Sequence, residues 1–333
     1  MEGLQARAAL EDFPMQTVKI GRVARKKTFN WTNFQRDAAP YIFVSPFFVL
    51  FLIFGLFPLL FSLFLSFNRW DSASGLSTMR FIGPRNYVDT WTDPLFWKAL
   101  KNTFYIALLS GVPQHLIAIP AAYVLNTLVK RFKHFFTAAL FVPFITSVVA
   151  ISLITTVLFS ERQGVINQAI RSLHNLPLIS GLFPADNIRW LFDQNYVPVL
   201  IALVVVWKYT GYNIVLYLAG LQTIPQELYE AAQVDGATRS QQFRFITLPL
   251  LRPIAFYAVT LSLIGNLNLF TEPFILVGTQ YGQNQAGMTM GAYLYKMAFE
   301  LGFADQAAAM SWMFFVVVVA LTLINNRLFR ARD

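Results

Sequence analysis

Residues 227–253 read ELYEAAQVDGATRSQQFRFITLPLLRP, the most polar stretch of an otherwise apolar chain. The segment predicts two short helices joined by a tight turn. Thr223 is placed to cap the first helix, and Pro225 sits in its first turn, where a missing N–H costs nothing. Glu227 and Glu230 fall in the early turns, where a carboxylate is favoured by the helix dipole. The helix formers of ELYEAAQVD run into Gly236, a natural C-terminal stop. Thr238 and Gln241 have capping-box spacing and open the second helix, which Pro249 and Pro253 are expected to close. Leu228, Ala231 and Ala232 form a small apolar strip at helical spacing, too small to build a core. Such an element either docks into a partner's groove or rests on lipid headgroups.

Outward from this stretch the chain is built for a membrane. Of 333 residues, 56% are hydrophobic and only 13% charged, against about 25% charged in soluble domains. Six apolar runs reach spanning length: residues 41–67, 102–129, 135–160, 196–221, 253–276 and 306–326. The fourth is charged only at Lys208; the fifth is charge-free as far as Thr271 and then meets Glu272. The expected fold is an all-α membrane protein: a tail over 1–40, a transmembrane domain over 41–328 holding the polar loop 223–250, and a tail over 329–333. The first 40 residues lack an apolar run of signal-sequence length, and the run from Tyr41 lacks a cleavage pattern, so it reads as a retained helix.

Sixteen of the 26 basic residues lie on one side of this arrangement. They are Arg7, Lys19, Arg22, Arg25, Lys26, Lys27 and Arg36 before span one, and Lys130, Arg131 and Lys133 after span two. Arg239, Arg244 and Arg252 follow span four, and Arg327, Arg330 and Arg332 follow span six. The positive-inside rule puts both tails and the polar loop in the cytoplasm. The net charge of +9 therefore flanks lipid rather than marking a nucleic-acid surface. Trp70, Trp91, Trp97 and Trp190 near span ends read as interfacial anchors.

Several chemistries are excluded. With no cysteine there is no disulfide, thiolate nucleophile or Cys-ligated metal. His115, His134 and His174 lie far apart without an HExxH pattern, so no metal and no cofactor is expected. No GxxxxGK[ST] loop is present, so any energy from ATP comes from another subunit, and the chain is not expected to be an enzyme.

The order Glu230-Ala231-Ala232, then Gly236, then Ile246 and Leu248-Pro249 resembles the EAA loop of inner-membrane permeases of ATP-binding-cassette importers. The surrounding LQTIPQELYEAAQVDGATRSQQFRFITLPLLRP is similar to the carbohydrate branch of that family, the maltose-permease-like (MalF-like) subunits. The likeness runs over about residues 41–330. It implies a type I importer permease in which the loop is a coupling helix gripped by a cytoplasmic ATPase. Glu230, Ala231, Ala232, Asp235 and Gly236 would carry that contact, with Glu230 the polar anchor and Gly236 the hinge. The implied partners are two ATPase subunits, a second homologous permease, an extracytoplasmic sugar-binding protein and membrane lipid. The two extra amino-terminal spans and large periplasmic insertion of the maltose permease are missing, so the resemblance does not name maltose.

For the solute, Lys208 and Tyr212 share one helical face, as do Ser262 and Asn266. Aromatic and amide groups on facing helices suit a small carbohydrate. The resemblance places solute contacts at these positions and at Gly265 and Leu269, with Lys208, Gly265 and Leu269 departing from the maltose type. From the residues alone, Lys208 is either a pathway group or a structural charge that snorkels or pairs with Glu272. Ser262 and Asn266 are either pathway groups or interhelical glue. Rival readings are an ion-coupled secondary sugar transporter and an importer permease for a sugar phosphate.

Overall fold

The computed structural model describes residues 31–71, 75–129, 131–176 and 180–330. The expectations for residues 1–30, Lys130 and 331–333 lie outside the described residues. The chain divides into two compact units, residues 1–58 and 59–333.

Helix α1 covers residues 31–66, with a π turn at Leu52–Leu56, and carries the first candidate span, Ala38–Ser66. A two-residue antiparallel pair, Asn68–Arg69 with Arg80–Phe81, follows. Then come α2 (Arg85–Thr92), α3 (Pro94–Thr127), α4 (Lys133–Ile145), α5 (Val148–Leu158), α6 (Val165–His174) and α7 (Val197–Leu221). The polar loop supplies α8 (Gln226–Val234) and α9 (residues 239–250, with a π turn at Phe243–Thr247). The chain ends with α10 (Arg252–Leu267), α11 (Thr271–Val277), α12 (residues 290–300) and α13 (Ala304–Arg330).

Among the described residues, four helices are individually long and apolar enough to cross a membrane, and the number reaches six if each bent pair is one span. The differences from expectation have physical causes. Span two begins at Pro94 rather than Asn102, because Asp93 caps it by accepting from the Leu95 N–H at 2.9 Å. Lys98 and Lys101 belong to that helix and mask its start in a hydropathy reading. Span three is not one helix but α4 and α5, bent by 90° at Thr146 and Ser147. Span five is likewise interrupted, between Leu267 and Thr271.

Prolines explain the π turns of α1 and α9. A proline lacks the N–H that would bond four residues back, and its ring crowds that carbonyl. Pro58 follows the π turn Leu52–Leu56 by two residues, and Pro249 follows Phe243–Thr247 by two. The widened turn absorbs the misfit, so Pro249 sits inside its helix, which closes at Leu250, between the two prolines expected to close it. The chain turns at Leu251, by 68°.

The core of the second unit is the α3–α7 pair, the most extensive helix contact of the chain. Thr103, Ala107, Ser110, Gln114, Ala118 and Ala122 recur at three- and four-residue spacing and are buried. This seam of small side chains lets two backbones approach closely, the usual basis of helix association in lipid. The helices run parallel: Ile106 packs with Val197 and Val205, and Ala118 and Ala122 pack with Ile214 and Tyr217.

Candidate functional site

The polar loop forms a fixed pair of helices. The Thr223 hydroxyl bonds to the Gly220 carbonyl at 2.8 Å instead of capping α8, and Pro225 occupies the cap position. The loop thus leaves α7 by a side-chain bond back to it, one step earlier than expected. At the other end of α8, Gly236 has φ +76. Ala237 N–H reaches Ala232 O at 2.8 Å and Gly236 N–H reaches Gln233 O at 3.0 Å, the paired bonds of a Schellman stop. The capping box of α9 is formed: Gln241 N–H donates to Thr238 Oγ1 at 3.3 Å, and Thr238 N–H to Gln241 Oε1 at 2.7 Å.

Two tyrosines tie this pair down. Tyr229 and Thr247 share a hydroxyl–hydroxyl bond of 2.9 Å between α8 and α9. Tyr123, at the end of α3, donates to Arg239 O at 3.3 Å and packs its ring 4.8 Å from that of Phe243. Glu230, Ala231, Asp235 and Gly236 are exposed, and Ala232 is half-buried. Leu228 is exposed, and Val234 is 89% exposed. Sequence reasoning passed over Val234; its signal is an aliphatic residue ending a polar helix just before Asp-Gly. A rigid helix presenting Leu228, Ala231 and Val234 to solvent has the form of a docking element.

The four expected solute-contacting residues fall into two groups. Ser262 and Asn266 line one cleft of about 490 Å3 between α3 and α10, with Gly111, His115 and Val259. Asn266 is 4% exposed, and its Nδ2 lacks a hydrogen-bond partner. It fits there because Gly111 has no side chain: a Cβ at 111 would stand 3.1 Å from that nitrogen. The Asn213 amide, buried in α7, donates to Gln114 Oε1 at 3.1 Å and to Ser262 Oγ at 3.3 Å. Three helices therefore meet through one polar relay. Beside it, the Tyr217 hydroxyl meets His115 Nδ1 at 2.8 Å. The importance of Gln114 and His115 was not read from sequence; their cue is a polar pair just after Pro113 in mid-span.

Lys208 and Tyr212 do not line this cleft. Tyr212 stacks on Phe144 of α4, ring centroids 4.5 Å apart at 22°. Lys208 is buried, and its Nζ donates to Thr146 O at 3.0 Å. Lys208 and Glu272 interact electrostatically but make no contact ion pair: among the described residues those within 4.0 Å are Arg69–Asp305 and Arg189–Glu161. Nor does Lys208 snorkel out of the protein. Between the two groups, Gly211 lets α7 touch the backbone of α4, since a Cβ there would lie 1.8 Å from Leu140 O.

Residues 116–333 match the family described as the inner membrane component of binding-protein-dependent transport systems. The chain belongs to this family. The match takes in α7, α8, α9 and α10, and begins just after Gln114 and His115 of α3. Among similar curated proteins is the arabinooligosaccharides transport system permease protein AraP of Bacillus subtilis, 32% identical over 94% of this chain and 97% of that one. The lactose transport system permease protein LacF of Rhizobium radiobacter is 32% identical over 87% of this chain and 93% of its own. Among solved structures, a chain of a bacterial alginate transporter complex superposes with a TM-score of 0.75 at 24% identity, covering 90% of this chain and 97% of that one. At that identity the likeness speaks to the fold: this family member has the type I importer permease architecture.

Proposed function

We propose that this permease moves a carbohydrate across the inner membrane by alternating access, driven by a separate ATPase through α8 and α9. The observation that carries the reading is the exposed face of α8 on a helix locked at both ends, by the α7 bond at Thr223 and the Schellman stop at Gly236. A locked helix transmits a push, whereas a mobile loop dissipates it. Glu230 anchors the contact, Ala231 and Ala232 allow close approach, and Asp235 and Gly236 turn the chain toward α9. Leu228 and Val234 add apolar area to the same face.

The carbohydrate class is supported by the relatives named for arabino-oligosaccharides and lactose. It is also supported by aromatic and amide groups along α7 and α10. Tyr212 against α4, and Ser262 and Asn266 in the α3–α10 cleft, are the solute-contacting residues of this reading, with Lys208 one turn from Tyr212 on α7. The free amide of Asn266 offers a donor to a sugar hydroxyl. The assembly comprises this chain, a second homologous permease, two ATPase subunits on the cytoplasmic face and a sugar-binding protein on the other. Both termini lie in the cytoplasm, following the distribution of Lys and Arg.

The test is uptake into proteoliposomes holding the complete transporter and its binding protein. Glu230→Ala should abolish ATP-driven uptake of a labelled oligosaccharide while the variant still inserts. Normal uptake by Glu230→Ala overturns the coupling assignment. Uptake driven by an ion gradient without ATP supports the secondary-transporter reading instead, and competition by sugar phosphates but not neutral sugars reassigns the solute.

A further inference from the structure

The right-angle break between α4 and α5 poses a problem of its own. α4 ends at Ile145, Thr146 and Ser147 take extended geometry (ψ 143 and 128), and α5 starts at Val148. A helix that stops inside a membrane leaves its last carbonyls without intrahelical donors. In an apolar medium an unpaired carbonyl is costly, and such breaks persist only where protein supplies partners. The break is partly self-satisfied: Thr146 Oγ1 donates to Val142 O at 2.9 Å. The Thr146 carbonyl, at the corner itself, takes its hydrogen bond from Lys208 Nζ at 3.0 Å.

We propose that Lys208 is a positioning residue that caps the broken span and fixes its right angle, rather than a group that touches the solute. The proposal rests on the transport reading only for the consequence it has on uptake. Three observations support it. Lys208 comes from α7, the most enclosed of the spans, and is itself 6% exposed. Its ammonium meets the C-terminal end of α4, where a cation is favoured by the helix dipole. The next residues along α7 clamp the same helix: Gly211 against the Leu140 backbone and Tyr212 on the Phe144 ring. Lys208, Gly211 and Tyr212 thus hold α4 from Leu140 to Thr146.

The interruption between α10 and α11 is secured differently. There the Thr289 hydroxyl donates to Leu269 O at 2.6 Å. A neutral hydroxyl holds one break and a buried ammonium the other. Glu272, buried in the first turn of α11, is the acidic group facing this region, yet it makes no ion pair with Lys208. The lysine's directed bond is to the corner carbonyl. α4, its corner and α7 then move as one body during access changes.

The chain has no cysteine, so paired labels report without background. Phe136 on α4 and Val157 on α5 are exposed and flank the corner. Spin labels at Phe136→Cys and Val157→Cys, read by pulsed electron resonance in the complete reconstituted transporter without solute or ATP, measure the angle directly. The distance distribution should be narrow with Lys208, broaden in Lys208→Met, and narrow again in Lys208→Gln and Lys208→Arg, which keep a donor. In uptake, Lys208→Met should lower the maximal rate about tenfold, the scale of one buried carbonyl left without a donor, while KM moves less than about twofold. An unchanged distribution in Lys208→Met overturns the proposal whatever transport does. So does a raised KM at unchanged maximal rate, which would make Lys208 a solute ligand. The predicted distances with no uptake even in the transporter that keeps Lys208 would instead count against the transport reading alone.

Discussion

Replacing Gly211 by alanine drives a methyl group into the backbone of the adjacent helix. The new Cβ would stand 1.8 Å from Leu140 O and 2.6 Å from Leu140 C. A carbon and a carbonyl oxygen approach no closer than about 3.3 Å, so α4 must retreat from α7 by about 1.5 Å. The atoms struck are backbone, so no rotamer change relieves the clash. Carried rigidly to the end of α4, that shift would stretch the 3.0 Å Lys208–Thr146 bond to about 4.5 Å, beyond hydrogen-bonding distance. Overpacking costs about 1–3 kcal/mol, and loss of a bond to a charged group about 1.5–3 kcal/mol. Alanine returns about 1 kcal/mol through its better helix propensity. The net is a loss of about 3 kcal/mol, a fall in Tm of about 4 °C for a chain of this length. Thermal unfolding of the purified transporter in one detergent reads it. Gly265→Ala is the matched control: nothing lies within 4 Å of its Cβ, so its Tm should hold or rise slightly. Equal Tm values for the two variants would refute the close α4–α7 contact.

Other outcomes follow from the same geometry. Gly236→Val places a β-branched residue at φ +76, which costs about 1–2 kcal/mol and undoes the Schellman stop; uptake should be lost while membrane insertion, read by fractionation, is retained. Thr238→Ala removes the capping box, worth about 1 kcal/mol. Hydrogen exchange at residues 239–242 should rise and solute-stimulated ATPase activity fall only partly. Asn266→Ala and Tyr212→Ala should weaken uptake and its solute dependence while basal ATPase activity stays; unchanged uptake in both removes them from the solute's route.

The helix pair around Gly236 was legible because its signals are local. A Gly at C′ and a Thr-x-x-Gln box need no distant partner to act. The same is true of the apolar runs, whose lengths give four crossings outright and six if each bent pair is one span. The breaks were not legible. Phe135 to Ser160 has no charge, so hydropathy is the same whether the chain continues or turns at Thr146. What decides is a lysine 62 residues later in sequence, whose reach to Thr146 O exists only after α7 packs on α4. Lys208 itself was seen, but its choice between solute, lipid interface and Glu272 depended on that packing. The π turn at Phe243–Thr247 was not legible for a related reason: it depends on how the turn before Pro249 widens, while the helix still ends at Leu250, where the prolines placed its close. The Gln114–Asn213–Ser262 relay joins three helices and has no signature within any one of them.

On the reading proposed above, α8 is the surface an ATPase grips. A single cysteine at Val234, introduced into this cysteine-free chain, allows a short-reach cross-linking test in the assembled transporter. Val234→Cys should cross-link to the ATPase subunit, and Leu182→Cys, also well exposed in the loop before α7, should not. Labelling of Val234→Cys by a membrane-impermeant maleimide from outside the cell, or no cross-link to the ATPase in an active complex, would contradict it.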